Sequence, residues 1–371
     1  MKVKSIILTI ILSLFYPFTF LSRVHKNRIT FISLEHDNLS KDFKLLYTQL
    51  AMERKYELKT LLFKFEPTLF GNIKYGIACI RQLFIIENSK LVIIDYNNFV
   101  ISRFPHRKQV KILEIWHATG ALKQFGNYVK RDYEIKNYDY VIANSEFFRD
   151  IYAKAFNVPS NNVLVTGIPN NDKIFYPAFI ELTRQRLLEK FPLLNGKKIV
   201  TYAPTFRGRI STSFKEVKID LKTIHEALGQ DYMLIYKVHP LIPNSKYENN
   251  PNIIFIEDEL MSSLFCITDI FITDYSAIAI DWMVFNKPII AYVPDFAKYV
   301  KKPGLTIDYM KEFPGPICKT SEELIAAIKT PDNALFQEKR CTFYKKTYQY
   351  RDGNSTQRVV SAIHDIMNSR I

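Results

Sequence analysis

Cysteine is scarce in this sequence, which has four cysteines among 371 residues. They form no C-x-x-C pair and lie at no zinc-like spacing from a histidine: Cys79, Cys266, Cys318 and Cys341. The sequence therefore offers no disulfide framework and no zinc site, and it predicts reduced thiols in a cytoplasmic setting. It also lacks an acidic cluster typical of a metal site, so neither a metal nor another cofactor is predicted.

Glycine and the usual nucleotide-binding motifs are also sparse. With 11 glycines, 17 prolines and 47% hydrophobic residues, the composition excludes a collagen-like or low-complexity chain. Neither G-x-G-x-x-G nor G-x-x-x-x-G-K-[ST] occurs, which excludes the two usual phosphate-binding loops. The length of the chain instead predicts two folded domains.

Acidic residues are outnumbered, and the formal net charge is +14. Most of the excess lies in residues 1–185, which hold 26 Lys and Arg against 16 Asp and Glu. A basic first half favours an anionic partner, either a nucleic acid or an anionic membrane surface. Charge alone leaves open a third interpretation, in which the basic surface has no specific partner.

The N-terminus carries an apolar run from Ser5 to Ser22 that Pro17 interrupts, and no cleavage site typical of a secretory signal follows it. If Pro17 ends the helix, about 14 residues remain, roughly 21 Å against a hydrocarbon core of about 30 Å. Residues 1–24 are therefore predicted to be a membrane-associated helix lying in or against the surface. A spanning anchor and a buried core helix are the alternatives.

Strand-length apolar runs alternate with helical spacing along the rest of the chain. One series covers residues 28–33, 90–96, 111–116, 140–145 and 162–167, and a second covers residues 198–204, 232–239, 252–256, 269–275 and 288–293. This alternation predicts an α/β fold with two Rossmann-like domains built on parallel sheets. The predicted domains are residues 25–180 and 190–371, with the last helix a candidate to cross back.

Polar residues follow four of the predicted strands, where ligands bind in open parallel sheets. The residues are His117, His239, the pair Thr205 and Arg207, and the run Asp274, Tyr275 and Ser276. If the two domains face each other, these loops line one cleft. A helix beginning at Ser276, the planar cation of Arg207 and the ring N–H of His239 together suit a pyrophosphate.

His117 belongs to the other half, so it is predicted to face the second substrate. A histidine that titrates near neutrality can take a proton from an attacking hydroxyl. Its neighbours Trp116, Thr119 and Lys123 are predicted on the same acceptor side. Taken singly, each polar residue has a structural alternative: a satisfied structural histidine, a helix cap at Ser276, or a loop brace at Asp274.

Six separated blocks together resemble the CDP-glycerol glycerophosphotransferases of wall teichoic acid synthesis. In chain order they are IWHATGALKQFG, TGIPNND, YAPTFRG, KVHP, TDYSAIAIDW and RDGNSTQRV. The resemblance, which runs from Arg28 to Val359, implies a GT-B-like arrangement of two Rossmann-like domains facing a cleft. It also implies a peripheral protein on the cytoplasmic face of the cell membrane. The block WHATGALKQFG is more similar to the primase branch than to the polymerases.

The same resemblance implies residue roles. His117 would be the catalytic base acting on the acceptor hydroxyl, and His239 a catalytic residue at the donor. The donor-binding set would be Thr205, Arg207, His239, Asp274, Tyr275 and Ser276. Asp352, Gly353 and Ser355 match the block that begins the last helix. Asn170 stands where relatives often have arginine, which leaves the role of the GIPNND loop open.

The implied reaction moves glycerol 1-phosphate from CDP-glycerol to an undecaprenyl-diphosphate-linked N-acetylmannosaminyl-N-acetylglucosamine disaccharide, with release of CMP. The alternatives are a glycerol- or ribitol-phosphate polymerase of the same family, or another GT-B glycosyltransferase. A noncatalytic basic protein would leave His117 and His239 unexplained, so no nucleic acid is expected. The expected partners are CDP-glycerol, the lipid-linked disaccharide and the cytoplasmic membrane surface.

Overall fold

The computed structural model describes residues 2–205, 207, 217, 219–237 and 253–368, with side chains from residue 5 onward. The chain divides into two compact units. The first comprises the described residues of 1–119, 125–172 and 348–371, and the second those of 120–124 and 173–347. Each unit contains one six-stranded parallel sheet, so the predicted α/β class is confirmed.

The first unit is a parallel sheet with helices. Its strands are β1 (His25–Ser33), β2 (Glu57–Leu62), β3 (Ser89–Ile94), β4 (Lys111–Glu114), β5 (Tyr140–Ala143) and β6 (Val163–Val165), in the order β2-β1-β3-β4-β5-β6. Its helices are α1 (Lys2–Thr19), α2 (Lys41–Glu53), α3 (Leu69–Glu87), α4 (Phe99–Arg103), α5 (Arg149–Phe156) and α14 (Ser355–Met367). The strand order reverses between β1 and β3, and ligands bind at such reversals in open parallel sheets.

The second unit repeats this design. Its strands are β7 (Lys198–Tyr202), β8 (Tyr232–Lys237), β9 (Ile253–Ile256), β10 (Ile270–Thr273), β11 (Ile289–Tyr292) and β12 (Ile317–Cys318), in the order β12-β11-β10-β7-β8-β9. Its helices are α6 (Pro177–Lys190), α7 (Leu221–Leu228), α8 (Met261–Leu264), α9 (Ile278–Trp282), α10 (Phe296–Lys301), α11 (Tyr309–Glu312), α12 (Ser321–Lys329) and α13 (Ala334–Thr347). Here the order reverses between β7 and β10.

The last helix, α14, is part of the first unit. Its apolar residues, including Val359 and Ile363, share a core with β1, β3, β4 and α2. The Asp172 carboxylate accepts hydrogen bonds from the Ser355 N–H at 2.7 Å and the Thr356 N–H at 2.8 Å. Because a carboxylate already occupies the positive end of α14, this helix start is closed to an anionic ligand.

The close approach of α14 to the segment after β6 requires a glycine, Gly167. Gly167 follows β6 with φ of +82°, and a Cβ there would lie 2.3 Å from the Ser355 Oγ. Only glycine combines this backbone conformation with so close an approach. The TGIPNND and RDGNSTQRV blocks of the sequence therefore meet each other in the fold.

Two edge strands were not predicted. β2 is mostly exposed and carries Glu57 and Lys59, so it has no continuous apolar run. β12 is only two residues long. An edge strand is paired on one side and covered less completely, so its sequence is under weaker pressure to be apolar.

Pro17 does not end the first helix, because α1 continues to Thr19. The carbonyls at and beyond the end of a helix lack helical donors, and here a side chain from elsewhere in the first unit donates to two of them. Arg107 donates from Nη2 to the Thr19 carbonyl at 3.1 Å and from Nη1 to the Ser22 carbonyl at 2.8 Å. The Tyr16 hydroxyl donates to the Pro105 carbonyl at 2.5 Å. One side of α1 is thereby bound to the first unit.

The helices α1 and α3 pack against each other, and both expose large apolar side chains. On α1 these include Ile7, Ile10 and Leu14, and on α3 they include Leu69, Phe70, Ile73 and Ile77. In the described part of the chain, α3 alone combines the length and apolar composition needed to cross a membrane, and a third of it is buried.

Candidate active site

The strand reversal in the second unit brings together three of the predicted donor residues. Thr205 and Arg207 follow β7, and Asp274 follows β10, which pairs with β7. Fully buried, Asp274 accepts hydrogen bonds from the Thr205 N–H at 3.0 Å and the Thr205 hydroxyl at 2.6 Å. Burial raises the pKa of Asp274, while the Arg207 charge and Thr205 oppose the shift. Asp274 therefore braces the loops, the structural alternative considered for it.

Arg207 forms ion pairs with two carboxylates. Its Nη1 lies 2.9 Å from an Asp274 oxygen, and its Nε lies 2.6 Å from an oxygen of Asp295. The guanidinium also lies over the rings of Tyr275 and Tyr299, about 5 Å from each centroid. Burial acts to raise the pKa of Asp295, but its contacts with Arg207 outweigh burial and lower it. Two carboxylates around one guanidinium leave this cluster short of positive charge.

Lys123 supplies a second cation to this cluster. It lies in the second unit, because the segment 120–124 pairs with that unit's own chain: the Gln124 N–H donates to the Gly304 carbonyl, and Lys123 forms a β-bridge with Leu305. Burial lowers the pKa of Lys123, the Asp274 charge opposes this shift, and Arg207 reinforces it. The structure thus places Lys123 in the second unit with Asp274 and Arg207, whereas the sequence analysis predicted it on the acceptor side.

Tyr275 and Ser276 differ in exposure. Tyr275 is fully buried, stacks on Tyr299 at 3.6 Å between centroids, and donates its hydroxyl to Asp295 at 3.2 Å. Ser276 is partly exposed, and its Oγ accepts a long 3.4 Å hydrogen bond from the Ile278 N–H. The following helix α9 has only five residues, so a strong helix dipole at Ser276 is not available. His239 lies outside the described residues.

In the first unit, His117 is exposed beyond the carboxyl end of β4. Its ring stacks on Tyr96, with centroids 4.4 Å apart and planes at 18°. Trp116, which is partly buried, stacks on Phe125 at 5.2 Å and meets the edge of Phe156 at 5.3 Å. Trp116 therefore anchors the loop from which His117 projects.

Two buried carboxyl groups lie behind this loop, and neither was among the predicted site residues. Glu114 ends β4, is fully buried, and has no hydrogen-bond partner for either oxygen among the described residues. Burial raises its pKa well above normal, and the charge of Asp95 raises it further. Asp95 follows β3 and is itself buried, which raises its pKa too, while Ser33 and Ser40 oppose that shift. Strand register could have suggested the pair, since Glu114 lies opposite Ile94.

Thr119 and the GIPNND loop have structural partners. Asn171 donates from Nδ2 to the Thr119 Oγ1 at 2.7 Å and to the Tyr348 hydroxyl at 3.0 Å. The Asn170 N–H donates to Asp42 at 2.8 Å. Thr119 is buried, so its hydroxyl supports the His117 loop from within the first unit.

The RDGNSTQRV block is also held by local contacts. Arg358 binds both oxygens of Asp352, at 2.9 and 2.7 Å, and its guanidinium lies 3.9 Å from the Tyr350 ring centroid. Its Nε donates to the Thr166 carbonyl at 2.9 Å. Asp352 and Ser355 therefore serve to seat α14 in the first unit.

Comparison with known proteins gives a consistent result. A family model described as CDP-Glycerol:Poly(glycerophosphate) glycerophosphotransferase matches residues 14–365. The teichoic acid glycerol-phosphate primase of Bacillus subtilis (strain 168) is 33% identical over 313 residues, which cover 80% of this chain and 78% of the primase. The teichoic acid poly(ribitol-phosphate) polymerase of Bacillus spizizenii is 29% identical over 356 residues, which cover 92% of this chain and 56% of the polymerase. The chain thus spans little more than half of that polymerase.

Among solved structures, the wall teichoic acid polymerase TagF is similar throughout. A histidine-to-asparagine variant soaked with CDPG matches with a TM-score of 0.74 and 23% identity, covering 100% of this chain and 97% of that one. At this identity the similarity establishes the fold, an α/β architecture with two parallel sheets.

Proposed function

Because the chain belongs to the CDP-glycerol:poly(glycerophosphate) glycerophosphotransferase family and is an enzyme of that kind, we propose that it transfers glycerol phosphate from CDP-glycerol in teichoic acid synthesis. The family match over residues 14–365 carries this proposal. The acceptor we propose is an undecaprenyl-diphosphate-linked amino-sugar disaccharide, to which the enzyme adds the priming unit. The similarity to a glycerol-phosphate primase over most of both chains supports the priming role.

In the proposed reaction His117 is the general base. It takes the proton of the acceptor hydroxyl as that oxygen bonds to the phosphorus carrying glycerol. The bond from this phosphorus to the bridging oxygen breaks, and CMP leaves with the bonding electron pair. His117 is exposed and held by aromatic rings, so it suits a proton acceptor that must meet a second substrate.

The donor's phosphates are proposed to bind in the second unit. Lys123 supplies the cation, and Ser276 supplies a hydroxyl on a partly exposed loop. Thr205, whose hydroxyl donates to Asp274, shapes the loop beside the phosphates. Arg207 contributes its charge from within the pairs with Asp274 and Asp295, and these pairs keep the loops in place. His239 keeps its predicted role as a further residue that binds the donor's phosphates. Stabilisation of phosphate charge by placed cations supplies much of the catalysis in phosphoryl transfer.

We further propose that the enzyme works peripherally on the cytoplasmic face of the membrane. The exposed apolar residues of α1 and α3 support this location, since large exposed apolar patches mark interaction surfaces. The net charge of +14 favours attraction to anionic lipid headgroups. A lipid-linked acceptor would be met at this surface.

One experiment separates the proposed reaction from its alternatives. The purified protein is incubated with a short-chain lipid-linked disaccharide and, in parallel, CDP-glycerol, CDP-ribitol or a UDP-sugar. We expect CMP release with CDP-glycerol and a product one glycerol phosphate heavier by mass spectrometry. A ladder of products would indicate a polymerase, and turnover of CDP-ribitol alone would indicate a ribitol-phosphate transferase. Release of UDP alone would contradict the proposed donor class.

A further inference from the structure

The imidazole of His117 is exposed, yet aromatic rings hold it from two directions. Tyr96 stacks on it nearly parallel, with centroids 4.4 Å apart and planes at 18°. Trp116 lies on it at 3.9 Å with a tilt of 44°. Trp116 is anchored in the aromatic cluster described above, and Tyr96 meets the edge of His36 at 5.8 Å. The two ring contacts restrict the orientation of the His117 imidazole.

The position of Tyr96 follows from strand register. It lies two residues beyond β3, and the last residue of β3, Ile94, is opposite Glu114 in β4. The loops that follow adjacent parallel strands emerge side by side, so Tyr96 reaches the loop of His117. The reversal of strand order in the first sheet lies on the other side of β3, between β3 and β1.

Burial and three nearby carboxyl groups act on the phenol of Tyr96. Burial raises its pKa to about 12, and the charges of Glu35, Asp95 and Glu114 act in the same direction. The phenol therefore stays protonated at neutral pH and does not compete with His117 for the acceptor proton. What Tyr96 offers His117 is the face of a neutral aromatic ring.

We propose that Tyr96 is a positioning residue for the catalytic base, holding the His117 imidazole by ring stacking and stabilising the imidazolium formed during transfer. This inference rests on the proposed function, in which His117 takes the acceptor proton. The face of a phenol ring carries negative partial charge, so it attracts a cation placed over it. The attraction strengthens as the imidazole gains its proton, which lowers the barrier more than it stabilises the ground state.

The test is a double-mutant cycle between Tyr96 and His117. CDP-glycerol turnover is measured for the parent, Tyr96→Leu, His117→Ala and the double variant, with donor affinity measured by calorimetry. We expect Tyr96→Leu to lower kcat roughly 2- to 30-fold, the range of a stacking cation. We expect unchanged donor affinity, and no further loss when Tyr96→Leu is added to His117→Ala. Tyr96→Phe, which keeps the ring, should restore kcat to near the parental value.

A matched control is Tyr47→Leu, since Tyr47 is also partly buried and contacts another ring, that of Phe31. It should leave kcat unchanged. Parental kcat in Tyr96→Leu, or an equal loss with and without His117, would overturn the role of Tyr96. If instead His117→Ala itself turns over normally, the assignment of the base fails, a result distinct from failure of Tyr96 alone. Should Tyr96→Leu not fold, Tyr96→Met carries the same comparison, because its flexible chain fills similar space.

Discussion

Polar residues that follow parallel strands differ in burial between the two sheets of this protein. Asp274 is buried and accepts hydrogen bonds from Thr205 and Arg207, so it organises its loop. His117 follows β4 in the first sheet and is exposed, although its ring is stacked. The same position in sequence thus supplies a brace in one sheet and, in the other, the exposed histidine that we propose as the base.

Replacing His117 by alanine tests the reactive group. We expect turnover with CDP-glycerol to fall roughly 10²- to 10⁴-fold, the usual contribution of a general base, while donor affinity is kept. The control is His25→Ala, which removes another exposed histidine of the first unit. A variant lacking His117 that keeps parental kcat would remove it from the mechanism.

Lys123 predicts a pH dependence of donor binding. Its pKa is lowered by burial, so it loses its charge at a lower pH than an ordinary lysine. Affinity for CDP-glycerol should therefore be full below that pKa and should weaken as pH rises through it. Lys123→Arg should abolish this alkaline loss, because a guanidinium stays charged. Titration calorimetry across alkaline pH measures the affinity of the parent and of Lys123→Arg for CDP-glycerol. If affinity depends on pH identically in the two proteins, Lys123 does not bind the donor through its charge.

Asp274 predicts a stability effect. Removing one partner of a buried ion pair costs about 3 kcal/mol, because the remaining charge loses its compensation. Asp274→Ala should lower the urea midpoint of the second unit accordingly, whereas Asp258→Ala, which removes an exposed carboxylate, should not. Equal midpoints for both variants would show that the pair between Arg207 and Asp274 contributes nothing to folding.

Among the elements, α1 has two distinct sides. Leu12 and Thr19 are fully buried, whereas Ile10 is 59% and Leu14 is 67% exposed. Deleting residues 1–24 would therefore remove packing from the first unit together with any membrane contact. Substitutions on the exposed side separate the two effects.

We expect the triple variant Ile7→Gln, Ile10→Gln, Leu14→Gln to bind anionic vesicles less tightly. At about 1 kcal/mol per side chain withdrawn from the apolar phase, the loss is roughly 100-fold. Thermal unfolding should be unchanged, since these side chains are exposed. Vesicle sedimentation measures the binding. Leu182→Gln, which alters a 66% exposed leucine of α6, is the control, and an equal effect there would refute a specific surface on α1.

For the whole molecule, apolar runs were sufficient to predict two parallel sheets, because strands covered on both faces are nearly continuous in apolar residues. They were not sufficient for β2 at a sheet edge, or for the residues that the fold brings together from afar. Arg207 meets Asp295, 88 residues later, and Lys123 joins the second unit through a segment of five residues. No local pattern encodes such pairings, so the structure alone adds Asp295 and Lys123 to the predicted donor residues.

The helix α14 follows the second unit in the sequence but packs in the first unit, and this predicts how a shortened chain behaves. A protein ending at Thr347 lacks Val359 and Ile363, which complete the core over β1, β3 and β4. We expect limited proteolysis to cut the first unit of such a protein readily while the second unit resists. Equal resistance of both units would show that α14 is dispensable for the first core.

The position of α14 at the end of the chain also delays completion of the first unit during synthesis on the ribosome. After residue 172 is made, the 175 residues of 173–347 must be translated before the segment that covers the first sheet. At about 5 to 20 residues per second this takes roughly 10 to 35 s. During that interval the nascent first unit holds an unfinished apolar face, and α1 and α3 are already exposed. A bound chaperone, or early attachment to the lipid surface, would protect these apolar surfaces until α14 has been synthesised.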